Sequence, residues 1–219
     1  MANGGRNESP VFIASFILTF IALIFHVVAF CSPHWIQSWE RTQSDFLRAG
    51  LWEFCFNAFT HPQDYLAKSY VGCWWVYSPE YFNIREFLMP PWFIAAQWLS
   101  VSALVLELLA LCIQSIYYMR CCSTTLEVPS IYLSAFLMVC ACIIEGMVVI
   151  VFGALSGDRT WMPRPDFNYL SWSYAFAVLS GFVACFAGCG LAMAGSKLSR
   201  MVKKDPNSFN MGTIPPPHM

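Results

Sequence analysis

The chain alternates between long apolar runs and shorter polar stretches. Four of the runs carry at most one acidic residue each and are at least 21 residues long. A helix needs about 20 apolar residues to cross the roughly 30 Å hydrocarbon core of a bilayer, because it rises about 1.5 Å per residue. The pattern therefore predicts four membrane-spanning helices, at residues 11–31, 92–118, 130–152 and 174–194.

The segments outside the predicted spans differ in length. They are a tail at 1–10, a long loop at 32–91, a turn at 119–129, a loop at 153–173 and a tail at 195–219. Because the turn is short, the second and third spans are expected to be antiparallel neighbours in a four-helix bundle. Small residues in the last span suit close contact between helices, and these are Gly181, Ala184, Gly188 and Ala192.

The 32–91 loop contains aromatic-rich runs with the character of β-strands. Residues 51–56 and 70–77 are the clearest of these runs. If the two runs pair in antiparallel fashion, Cys55 and Cys73 can face each other and form a disulfide. The loop is therefore predicted to be a folded unit. Two further elements are expected in it, a third strand at 35–39 and a short amphipathic helix at 80–88.

Composition agrees with a membrane protein, since 58% of the residues are hydrophobic and only 11% are charged. A soluble domain would carry about a quarter charged residues. The first run is longer than the apolar region of a signal peptide, and no cleavage site follows it, so a retained helix is expected. Of the Lys and Arg residues close to the spans, six lie on the side of the termini and four on the other. This bias predicts cytoplasmic termini and extracellular 32–91 and 153–173 loops.

Six residues of the long loop form a pattern, namely Trp35, Gly50, Leu51, Trp52, Cys55 and Cys73. Together with four spans, this pattern resembles the claudin superfamily, which includes claudins, epithelial membrane proteins and peripheral myelin protein relatives. The resemblance covers nearly the whole chain. It implies a left-handed four-helix bundle with a small extracellular antiparallel β-sheet, to which the second loop adds a strand within 166–172. It also implies that Trp35 and Trp52 pack the sheet onto the bundle.

The chain departs from typical claudins in two places. Seventeen residues separate Cys55 from Cys73, more than is usual in claudins. The end of the chain, residues 217–219, lacks the apolar last residue of a PDZ ligand, so a PDZ scaffold is a doubtful partner. The run 72–81 together with 93–97 looks more like the invertebrate claudin-like proteins of septate junctions, the Pasiflora group.

Three ionisable residues fall inside predicted spans: His26, Glu107 and Glu145. Each costs at least about 2.5–3.5 kcal/mol on insertion scales, so each needs a partner or a purpose. His26 and Glu145 differ in predicted depth by only about 3 Å. They are expected to approach each other, or Glu145 is expected to be neutral and hydrogen-bonded. Glu107 matches neither depth and is expected to be an isolated, protonated structural residue, with a transport role as the alternative.

The remaining chemistry is sparse. Cys121 and Cys122 directly follow the second span and are candidates for reversible palmitoylation, with two unmodified thiols as the alternative. No catalytic set, phosphate-binding loop or metal cluster is visible in the sequence, and the four histidines are scattered. We therefore expect no enzyme activity, no cofactor and no metal. No basic patch suggests nucleic acid as a partner.

The resemblance implies a structural or adhesion protein of occluding, septate-type junctions in the plasma membrane of epithelia. Such a protein would contribute to junction assembly and to the paracellular barrier. Its expected partners are the lipid bilayer and junction proteins of the same and the apposed membrane, in homo- or hetero-oligomers. Exposed Trp and Tyr residues in the long loop suit such interfaces. The alternative function is that of an auxiliary subunit of a membrane channel or receptor.

Overall fold

The computed structural model describes residues 9–42, 44–62, 64, 66–121, 125–162 and 164–204. Within these residues, four helices are long and apolar enough to cross a membrane. A short fifth helix, preceded by a 3-10 turn, lies between the first and the second of them. In chain order the helices are α1 (Pro10–Cys31), α2 (Arg85–Leu88), α3 (Pro91–Tyr118), α4 (Glu127–Leu155) and α5 (Trp172–Lys204).

Five strands in the described part of the chain form one antiparallel sheet. They are β1 (Ile36–Ser38), β2 (Phe46–Ala49), β3 (Glu53–Thr60), β4 (Ser69–Trp75) and β5 (Asn168–Leu170). The spatial order is β4-β3-β2-β1-β5. The last strand comes from the segment before α5, and its Leu170 lies opposite Ile36 of β1. The predicted fold, a four-helix membrane bundle with a small sheet from two loops, is confirmed.

Each long helix buries one narrow stripe of residues. In α3 the buried stripe advances by steps of three and four residues in turn, and it comprises Phe93, Ala96, Ser100, Ala103, Glu107, Ala110, Gln114 and Tyr117. Such a mean repeat of 3.5 residues is that of helices wound in a left-handed supercoil. Many polar residues of the spans lie on this inward stripe, while the other faces are apolar, as lipid contact requires.

Close approach between the helices depends on the small residues of α5. A Cβ at Gly188 would lie 2.9 Å from Cγ2 of Val139 on α4, and one at Gly190 would collide with Oγ of Ser15 on α1. Because both positions lack a side chain, α5 can lie directly against its two neighbours.

Two helices extend beyond their predicted ends. The helix α4 begins at Glu127 and ends at Leu155, a little outside the predicted 130–152. The helix α5 continues through Lys204, whereas residues from 195 onward were expected to be tail. The extension buries Leu198, and two lysines in its last turn suit the negative end of the helix dipole.

The sheet also differs from the prediction in detail. Leu51 and Trp52 belong to the turn before β3, not to a strand, and the amide of Gly50 bonds the carbonyl of Glu53 across that turn at 2.9 Å. The strand β2 was not predicted, because a register shift between Phe46 and Arg48 breaks the two-residue alternation. The expected helix at 80–88 is a 3-10 turn at Pro79–Ile84 followed by α2.

Candidate functional site

Trp35 fastens the first strand to the helix bundle. Its indole nitrogen donates a 2.7 Å hydrogen bond to the carbonyl of Ala29, near the end of α1. The buried ring packs edge-on against Phe152 of α4, with ring centroids 4.8 Å apart, and near Tyr174 of α5. One side chain therefore connects β1 with three of the four long helices.

The Gly50–Trp52 turn lies directly on the end of α1. A Cβ at Gly50 would come within 2.7 Å of Cα of Pro33 and closer still to the carbonyl oxygen of Ser32. Leu51 is buried, and its carbonyl accepts a hydrogen bond from the side chain of Gln97 on α3. Trp52 is half-buried against the ring of Phe30. The motif that was predicted to carry the family resemblance thus joins the sheet to α1 and α3.

The predicted disulfide between Cys55 and Cys73 is present. The two residues are direct partners in the β3–β4 register, with Cα atoms 4.0 Å apart. Cys55 is buried and Cys73 is exposed, so the bond crosses from the core to the surface of the hairpin. Because both sulfurs are consumed in this bond, neither is available to ligate a metal beside Glu53.

The long spacing between the cysteines is occupied by an extended hairpin with a structured end. The strands continue to Thr60 and Ser69. Beyond them, Asp64 accepts hydrogen bonds from the amide of Leu66 at 3.1 Å and from the hydroxyl of Tyr70 at 2.8 Å. These bonds hold the pKa of Asp64 below its usual value. Burial and the bond to Asp64 raise the pKa of Tyr70 to about 12.

A second polar contact joins β2 to the segment just before β1, near the disulfide. Arg48 donates to Nε2 of His34 at 3.2 Å, and Nδ1 of His34 lies 3.1 Å from the hydroxyl of Ser32. Since arginine can only donate, Nε2 must accept, and the imidazole is neutral. Burial and the nearby guanidinium lower the pKa of His34.

Large apolar side chains are exposed on the edge of the sheet. In β4, Val71, Trp74 and Trp75 are 58%, 46% and 56% exposed. We call these three residues the β4-edge surface. Among the described strands, β4 pairs only with β3, so its other side has no strand partner. A rigid edge that displays two tryptophans is suited to contact with another protein.

The structure brings all three intramembrane ionisable residues together. Nδ1 of His26 lies 3.1 Å from Glu107 and Nε2 lies 3.4 Å from Glu145. The expected approach of His26 and Glu145 is thus observed. The expectation that Glu107 is isolated at another depth is wrong.

Of the remaining sequence-predicted residues, Cys121 is described and lies at the opposite end of the bundle from the sheet. Cys121 is exposed just after α3, as palmitoylation would require. Cys122, most of the 1–10 tail and the final residues 217–219 lie outside the described part of the chain.

Sequence reasoning did not single out Gln97, Asp64, His34 or Arg48. Gln97 had a signal, because it lies beside the inward stripe of α3, three residues before Ser100 and ten before Glu107. The other three are loop and strand residues whose partners depend on the sheet register, which local patterning does not reveal.

Comparison with known proteins agrees with this geometry. A direct comparison of the chain with curated proteins finds no match. A family model described as PMP-22/EMP/MP20/Claudin tight junction matches residues 20–192, from within α1 to within α5. The match includes the whole sheet and all six motif residues. The chain therefore belongs to the PMP-22/EMP/MP20/Claudin family.

Proposed function

We propose that the chain is a claudin-like structural and adhesion protein of occluding, septate-type cell–cell junctions. In this role it contributes to junction assembly and to the paracellular barrier. Family membership supports a multi-pass membrane protein of the claudin-like junction type. The resemblance of 72–81 and 93–97 to the Pasiflora group supports the septate type.

The proposed orientation has the sheet outside the cell and both termini in the cytoplasm. A disulfide in the sheet supports this orientation, because disulfides persist in oxidising compartments. The basic residues Lys203 and Lys204 end α5 at the opposite end of the bundle. Positive residues beside a span favour the cytoplasmic side.

The β4-edge surface is the observation that carries the proposal. Trp74 and Trp75 are exposed on a strand that the disulfide fixes to β3, while Trp35 and Gln97 fix the rest of the sheet to the bundle. Exposed aromatics on a rigid support lose little conformational entropy on binding. The proposed partners are junction proteins in the same and the apposed membrane, including further copies of the chain.

The test is localisation and barrier rescue in a polarised epithelium that lacks the protein. Tagged wild-type protein is expected at lateral contacts and should restore exclusion of a paracellular tracer. The Trp74→Ser/Trp75→Ser variant should reach the cell surface but should not accumulate at contacts. Leu47→Ser is the matched control, because Leu47 is an exposed apolar residue of the inner strand β2.

Diffuse membrane label with an intact barrier after loss of the protein would contradict the junction proposal. Recovery of the protein with one pore-forming partner, away from lateral contacts, would instead favour the auxiliary-subunit alternative. Normal accumulation of the tryptophan variant at contacts would exclude the β4-edge surface as the adhesive site.

A further inference from the structure

Three ionisable side chains meet inside the membrane-spanning bundle, and we call them the His26 triad. His26 of α1 lies between Glu107 of α3 and Glu145 of α4, with Nδ1 3.1 Å from one carboxyl group and Nε2 3.4 Å from the other. All three side chains are buried. Because the two ring nitrogens point in different directions, the carboxyl groups flank the imidazole and cannot together present one open ligand set to a metal.

Hydrogen bonding distinguishes the two glutamates. Nδ1 of His26 is hydrogen-bonded to Oε2 of Glu107 at 3.1 Å, and Nε2 is hydrogen-bonded to the hydroxyl of Ser100 at 3.1 Å. The 3.4 Å separation from Glu145 exceeds the usual range of about 2.7–3.2 Å for such bonds. Within the described residues, neither carboxyl oxygen of Glu145 has a hydrogen-bond partner, whereas Glu107 lacks one only at Oε1. An ionised carboxylate in that position would lose its hydration without replacement, whereas a carboxylic acid carries no charge to solvate.

Charge balance is satisfied by a protonated Glu145 beside an ion pair of His26 and Glu107. An imidazolium with two ionised carboxylates would leave one uncompensated negative charge in the bundle, which the surrounding lipid cannot stabilise. Adding one proton to a carboxyl group makes the sum zero. We propose that the His26 triad is a proton-binding site, with a protonated His26, an ionised Glu107 and a protonated Glu145.

The helix α5 brings no counter-charge to the triad. At Gly181 the helix passes close to the triad, since a Cβ there would lie 3.8 Å from Cγ of Glu145. Ser180 bonds instead to the carbonyl of Ala22 on α1. The thiol of Cys142 on α4 is hydrogen-bonded to the thiol of Cys185 on α5, and both cysteines are free of disulfides. Among the described residues, His26 is therefore the only cation that faces the two glutamates.

The test uses the full chain purified into lipid nanodiscs and two readouts. Infrared spectroscopy detects the carbonyl stretch of a buried carboxylic acid, which should be present in wild type and absent in Glu145→Gln. The unfolding temperature should respond differently to substitution of the two glutamates. Glu145→Gln, close in shape to the protonated acid, should change the unfolding temperature by less than about 2 °C. Glu107→Gln, which removes the anion beside the imidazolium, should lower it by about 10 °C.

Glu86→Gln is the matched control, since Glu86 is exposed on α2 and should affect neither readout. The folded state holds a proton that the unfolded state releases, so raising the pH should destabilise wild type more than Glu145→Gln. The proposal is overturned if the carboxylic acid band survives in Glu145→Gln, or if wild type lacks it. Equal destabilisation by the two substitutions would also overturn it, because it would mean that the two carboxyl groups carry the same charge.

Discussion

At the scale of single residues, the six-residue motif contains distinct structural roles. Gly50 lets a turn lie against the end of α1, Trp35 donates to a helix carbonyl, and Leu51 offers its own carbonyl to α3. The bonds of Trp35 and Gln97 each satisfy a backbone carbonyl, and the missing side chain of Gly50 lets two backbone segments approach each other. The packing of the sheet on the helices therefore explains the residues of the motif.

Gly50→Ala tests the close approach. The added methyl group would meet backbone atoms of Ser32 and Pro33, which cannot turn aside as a flexible side chain could. We expect a loss of about 1–3 kcal/mol of stability and reduced delivery to the cell surface. Thermal unfolding and surface labelling measure both. Gly146→Ala is the control, because a Cβ there meets nothing within 4 Å. Since the position is inside α4, alanine should leave the stability unchanged or raise it by up to about 1 kcal/mol.

His34 is a single residue that makes the stability of the folded state depend on pH. Its pKa in the folded state lies below the ordinary value of 6.5, so the unfolded state takes up the proton first as the pH falls. Stability from this group is therefore complete above about pH 6.5 and decreases as the pH falls toward the lowered pKa. Unfolding temperatures of wild type and His34→Gln should converge between about pH 7.5 and about pH 5.5. Parallel curves would mean that His34 does not titrate in this window.

At the scale of elements, the β3–β4 hairpin depends on its disulfide. The bond links residues 18 positions apart. In a Cys55→Ser/Cys73→Ser variant the free energy of unfolding should fall by about 3 kcal/mol, because the unfolded chain regains the conformational entropy of that loop. Non-reducing gel mobility and thermal unfolding measure the loss. Cys189→Ala removes an exposed thiol that forms no disulfide and should leave both unchanged. Equal mobility of wild type with and without reductant would exclude the bond.

Elements differed in how far they could be predicted from sequence. The spans were predictable, because continuous apolar runs need no knowledge of their neighbours. The position of Glu107 was not, because depth was counted from helix ends that lie at different levels. Glu107 lies about 24 Å along α3 from Pro91, yet it meets His26 only about 7.5 Å from the end of α1. The first turns of α3 extend into the core beneath the sheet, where Phe93 is buried. The inward contacts of the motif residues likewise required the packed sheet.

At the scale of the whole molecule, hydrogen bonds and packing hold the sheet and the helix bundle together. The side chain of Gln97 bonds the carbonyl of Leu51 and accepts from the hydroxyl of Tyr77. Trp161, from the segment after α4, donates to the carbonyl of Leu88 at 3.0 Å. Polar bonds and aromatic packing thus connect both loops to the ends of the helices.

Gln97→Leu tests this connection. Leucine keeps the approximate volume but leaves the carbonyl of Leu51 and the hydroxyl of Tyr77 without their partner. We expect the free energy of unfolding to fall by about 1–3 kcal/mol and the backbone amides of the 50–53 turn to exchange hydrogen faster. Ser102→Ala is the control, because the Ser102 hydroxyl bonds only carbonyls of its own helix in the described structure. Exchange rates that stay the same in Gln97→Leu would contradict a coupling role.

The position of β5 has a consequence for how the protein is made. Strand β1 leaves the ribosome early, but one of its two sheet partners is β5, which directly precedes the last span. Until that segment is synthesised, the edge of β1 lacks its neighbour and the sheet is incomplete. Docking of β5 therefore reports that the chain has been translated through its third span and the loop that follows it, and that both loops have reached the same side of the membrane. A chain truncated before β5 would expose the open β1 edge to the quality-control machinery of its compartment.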